Sequence, residues 1–171
     1  AEEAIQAVAA TFGAMPARPD VPVPAANKVQ RFPAHVEQPV ILRHDGDKEQ
    51  AAAVMAWPTS GGFTMTKEAR QLEILTQIFN DRLFDKLRST EGAAYSPSVQ
   101  NSWPFSYDSG GYILVTSQVR PDRVNYFYSV VQETAADLAK TPISADELQR
   151  AVAPMRQLLM RASTGNAFWM G

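Results

Sequence analysis

The chain has 171 residues, enough for one domain with a sizeable core, or one domain and a fragment. Its formal net charge of −2 recommends neither nucleic acid nor an anionic membrane as a partner, no apolar run is long enough to span a bilayer, and no signal peptide opens the chain. Cysteine is absent, which excludes disulfides, thiolate metal sites and cysteine nucleophiles, and leaves a soluble protein of periplasm or cytoplasm equally open.

In chain order, Ile5, Val8, Ala9 and Phe12 recur at helical spacing, and Gly13 is placed to stop that helix. Residues 15–39 then hold prolines at 16, 19, 22, 24, 33 and 39 and predict an extended, protease-sensitive connection. Val40-Ile41-Leu42 is a short β-branched strand signal before the turn Asp45-Gly46-Asp47. Gln50 to Trp57 is apolar almost throughout and predicts a strand buried on both faces, although Ala51-Ala52-Ala53 also suits a helix. Leu72, Leu75, Phe79, Leu83 and Leu87 stripe a long helix over 66–88, with Thr66 as its N-cap and Ile74, Ile78 and Phe84 widening the apolar face.

Gly92 offers a backbone free to turn after that helix, and a strand beginning at Ala94-Tyr95-Ser96 continues towards Trp103, where Pro104 closes it. The cluster around Asp108-Ser109-Gly110-Gly111 is a turn, and Tyr112 to Val119 is the clearest strand of the sequence, so the two strands predict an antiparallel hairpin. Pro121 opens a helix whose inner face carries Val124, Phe127, Tyr128, Val131 and Leu138. Ser144 and Glu147 form a capping-box pattern for a last helix reaching about Ala162, with Pro154 as a kink or boundary inside it. The whole is an α+β layout in which helices cover one face of an antiparallel-rich sheet. Its division is a terminal helix of a preceding half-domain at 1–14, a Pro-rich connection at 15–39, a β-β-α-β-β-α-α unit at 40–163, and the start of a further element at 164–171.

The stretch Leu87-Arg88-Ser89-Thr90-Glu91-Gly92-Ala93-Ala94-Tyr95-Ser96 sits where the long helix meets the hairpin. It resembles the Leu-Arg-x-x-x-Gly-x-Ala-Tyr-Ser segment of the zinc metallopeptidases related to pitrilysin, insulysin and the mitochondrial processing peptidase. The resemblance extends from about Val40 to Met160 and is to the domain that does not carry the zinc site. Ala93 departs from it, standing where that family often has Leu. What the resemblance implies is a domain pairing two such halves and supplying substrate contacts to a zinc-bearing catalytic domain or subunit. Tyr95 would donate a hydrogen bond to the scissile carbonyl oxygen as it gains charge, and Arg88 would bind a carbonyl of the peptide substrate. The chemistry suits both, since a phenol is a neutral donor at pH 7 and a guanidinium is a fixed fork of donors. Taken without the resemblance, Arg88 is a surface charge favoured by the helix dipole and Tyr95 a strand residue at the rim.

Zinc itself is expected elsewhere. His35 and His44 are the only histidines, nine residues apart, and neither has the carboxylate and helical spacing of a His-x-x-Glu-His site. Asp81 and Asp85, among Arg82, Lys86 and Arg88, describe a charged outer face, and Asp146-Glu147 a helix first turn. No Gly-x-Ser-x-Gly or phosphate loop occurs. The aromatics Trp103, Phe105, Tyr107 and Tyr112 lack the basic residues of an RNA-stacking sheet and belong to hairpin packing. Phe168-Trp169-Met170 forms an apolar tip that calls for something to cover it. The leading expectation is therefore a substrate-binding, non-zinc domain of a zinc metalloendopeptidase, inactive alone. Its competitors are a catalytically silent relative that scaffolds a complex and an unrelated α+β peptide-binding module.

Overall fold

The computed structural model describes residues 1–22, 24, 29–88 and 97–170. Helix α1 spans Glu2–Ala10, strand β1 Ala51–Ser60, helix α2 Thr66–Arg88, strand β2 Ser98–Ser102 and strand β3 Ser109–Val119. Helices α3 (Val124–Lys140), α4 (Ala145–Ala162) and the short α5 (Asn166–Met170) complete the chain. Among the described residues the strands form one antiparallel sheet in the order β1-β3-β2.

β3 takes the centre because its β-branched run alternates. Val115 and Val119 are fully buried towards the helices, and Leu114 and Thr116 point the other way. β1 supplies Ala53 to the same core, opposite Ser117, and Trp57 lies against Phe79 of α2 with ring centroids 6.0 Å apart. From α2 the core takes Phe79, Leu83 and Leu87, the second half of the stripe read from the sequence, and from α3 it takes Phe127, Val130 and Val131. Phe127, Leu83, Val115, Val119 and Val131 are all at most 1% exposed, so α2 and α3 are seated on one face by interlocking side chains.

Several expectations change. β1 is a strand, but it is buried on one face only, since Val54 is 53% exposed, and it continues through Pro58 to Ser60. β1 lies at a sheet edge, where a proline costs no ladder bond towards the outside. Val40-Ile41-Leu42 forms no strand, and all three side chains are exposed. Three β-branched or apolar residues do not make a strand without a neighbour to accept their backbone groups. Thr66 does not cap α2. A 3-10 turn over Phe63–Met65 precedes it, and the Thr66 hydroxyl donates back to the Phe63 carbonyl. The capping box of α4 is present as expected: Ser144 Oγ accepts from the Glu147 backbone N–H (3.2 Å), and Glu147 Oε2 accepts from the Ser144 N–H (3.0 Å). α4 runs unbroken through Pro154.

Candidate functional site

α2 is the element that carries the candidate site. Its buried stripe fixes the rotation of the helix, so the remaining positions of its last two turns must face outwards or towards a neighbouring helix. Arg88 ends the helix and is exposed, with its guanidinium carbon 5.7 Å from the centroid of the Phe84 ring one turn earlier. A cation over an aromatic face is held in place without losing its donors, since the ring attracts the charge and leaves the N–H edges free. Among the described residues no carboxylate forms an ion pair with Arg88. Tyr95, the Gly92 turn and the start of the following strand lie outside the described residues.

Six residues before Arg88, Arg82 is used quite differently. Its Nε and Nη2 donate to the two carboxylate oxygens of Glu147 at 2.7 and 3.1 Å, and Nη1 donates to Asp137 Oδ2 at 2.9 Å. Three helices are thereby joined at one guanidinium whose side chain is 15% exposed. The fork geometry of arginine matches a carboxylate bidentately, which lysine could not do. The hydrogen bonds from Arg82, and after them those of the Ser144 N–H and hydroxyl, hold the Glu147 carboxyl well below its ordinary 4.5, at about 2. Glu147 in turn raises the Arg82 guanidinium, against its burial.

This cluster is what sequence reasoning missed. By sequence alone Arg82 groups with Asp81, Asp85 and Lys86 on a charged outer face, and the helix cap alone accounts for Glu147. Arg82 instead points inwards between helices. The one available signal was that Arg82 follows Ile78 and Phe79 at i+4 and i+3, on the flank of the buried stripe. A hollow of about 200 Å³ adjoins it, walled by Asp81, Phe84, Asp85 and Arg150.

The other candidates separate cleanly. His44 is exposed and its Nδ1 accepts the Gly46 backbone N–H at 2.9 Å, a local turn contact. His35 is exposed in the Pro-rich connection. Among the described residues no group of three or more His, Asp or Glu side chains is arranged to hold a metal ion. The aromatics serve loop packing: the Trp103 indole N–H donates to the Gly62 carbonyl at 3.1 Å, and Phe63 and Phe105 lie 5.3 Å apart.

With an α+β body, a long helix ending in an exposed arginine and no metal cluster among the described residues, the chain can be set beside known proteins. A family model described as the peptidase M16 inactive domain matches residues 1–155. The chain belongs to the peptidase M16 inactive-domain family. A solved structure of similar fold is the periplasmic protease PqqL from Escherichia coli, at a TM-score of 0.70 and 17% sequence identity. That similarity covers 99% of this chain but only 18% of PqqL, so the chain spans less than a fifth of its structural neighbour. No curated protein matches the sequence significantly. As an M16 inactive domain, the chain is of the metallopeptidase, pitrilysin-like kind, a domain type that belongs with a catalytic domain. Among the described residues no helix is long and apolar enough to cross a membrane.

Proposed function

We propose that this M16 domain supplies substrate contacts to a zinc site carried by another domain or subunit of a metalloendopeptidase. Arg88 binds a carbonyl of the peptide, and Tyr95 donates to the scissile carbonyl oxygen as negative charge develops on it. The observation that carries the reading is the placement of Arg88. Its guanidinium stands exposed at the end of α2, steadied by Phe84 with no carboxylate pairing it among the described residues, whereas Arg82 on the same helix is consumed by two carboxylates. A guanidinium free to donate is what a peptide carbonyl requires. Zinc is outside this chain in the proposal, and the peptide is the partner both domains share.

Tyr95→Phe in the complete enzyme tests it, because the ring and its packing stay while one donor is lost. The expected result is a fall in kcat of about 10²-fold, the lower end for removal of one oxyanion donor, with little change in KM. Wild-type turnover by a variant that melts like the wild type would end the catalytic role of Tyr95. A family member that only scaffolds a complex predicts that outcome, together with unchanged assembly.

A further inference from the structure

Between residues 15 and 50 every described side chain is exposed except that of Phe32. The Phe32 ring lies against Tyr112 of β3, with centroids 6.1 Å apart and planes tilted by 46°. Two residues earlier, the Gln30 carbonyl accepts a hydrogen bond from Ser109 Oγ at 3.1 Å. Between these contacts stands Gly110, with φ at +94°, where a Cβ would come within 2.4 Å of Gln30 Cβ. Both the backbone angle and this close approach require a residue without a side chain. Tyr112 is out of phase with the buried Val115 along β3, so it belongs to the sheet face turned away from the helices. Pro33 adds a local reason, since a residue before proline is restricted to extended conformations and Phe32 is therefore presented at reduced entropic cost.

We propose that Gln30–Phe32 is a latch that straps the Pro-rich connection across the open face of the sheet at the start of β3. Closed, it covers Tyr112 and anchors the connection to the sheet part-way along its length. The first anchor on the sheet after α1 is then Gln30 instead of β1, which roughly halves the length of chain between them and raises the effective concentration of α1 near the body about threefold. Open, it releases Tyr112 and lengthens the leash in one event.

The chain contains its own reporter. Arg31 lies inside the latch, whereas Arg43 lies in the exposed segment beyond it. Limited trypsin digestion of the intact protein, with fragments assigned by mass spectrometry, should cut after Arg43 first and after Arg31 about tenfold more slowly. Cleavage under these conditions follows the population of the open form. Phe32→Ala removes the aromatic pair and should raise the Arg31 rate about tenfold while leaving the Arg43 rate unchanged. Phe32→Trp should preserve the protection. Phe32 lies outside the core, so each variant should melt like the wild type. Equal rates at Arg31 and Arg43 in the wild type, or an Arg31 rate indifferent to Phe32→Ala, would overturn the latch.

Discussion

Two arginines six residues apart on α2 do opposite things. Arg82, in the middle of the helix, has its donors taken up by Glu147 and Asp137 and joins α2 to α3 and α4. Arg88, at the end, is exposed and rests on a phenylalanine. The residue type is the same, and so are the charge and the helix; of the two, only Arg82 has carboxylates within reach among the described residues. A guanidinium whose donors are already taken by carboxylates is a poor candidate for ligand binding, which is why the proposed substrate contact falls on Arg88 and not on Arg82.

The comparison can be broken at its base. Leu83, fully buried between the two arginines, holds α2 at its present rotation. Leu83→Ala should cost roughly 2–5 kcal/mol, read from the denaturation midpoint, and should impair both arginines together. Loss of one arginine's role without the other would show that they are not positioned by a common helix.

The sharper test is a double dissociation. Arg88→Ala should raise KM for peptide hydrolysis about tenfold, the worth of ~1.4 kcal/mol in a lost charged hydrogen bond, and leave the melting temperature unchanged. Arg82→Gln should do the reverse. It leaves the Glu147 and Asp137 carboxylates without their shared cation, so the melting temperature should fall, by less than for Leu83→Ala, while KM holds. A KM change in Arg82→Gln larger than that in Arg88→Ala would invert the assignment.

The smallest effect is in pH. The folded state holds the Glu147 carboxyl at about 2 against an ordinary 4.5, so its stabilising contribution is fully present above that ordinary value. It is lost progressively as pH falls from about 4.5 through 2, when the carboxylate takes up a proton and Arg82 loses its main partner. Melting curves of the wild type and Glu147→Gln should therefore differ at neutral pH and converge across that window. A constant offset down to pH 2 would mean that the carboxylate charge contributes nothing.

What the sequence by itself determined were the features encoded within a few residues of one another. The stripe through Phe79, Leu83 and Leu87 set the buried face of α2, with Leu72 and Leu75 half-buried at its start and Phe84 left exposed, because a helix repeats every 3.6 residues whatever it packs against. The Ser144–Glu147 box was legible for the same reason, its donors and acceptors being three residues apart. The hairpin of β2 and β3 followed from turn residues between two strand-forming runs, and Arg88 and Tyr95 stand out only through a family resemblance whose one sharp motif is a short segment. Tertiary structure decided the rest. Val40-Ile41-Leu42 has strand-forming residues but no strand, since pairing belongs to two segments and not to one. Val54 is exposed because β1 has helices on one side only. Glu147 serves a helix cap and also receives Arg82 from 65 residues away, and Phe32 finds Tyr112 across nearly half of the chain. Such contacts arise where folding brings distant groups within about 3 Å of a hydrogen-bond partner or onto a neighbouring ring, and no periodicity in the sequence records them.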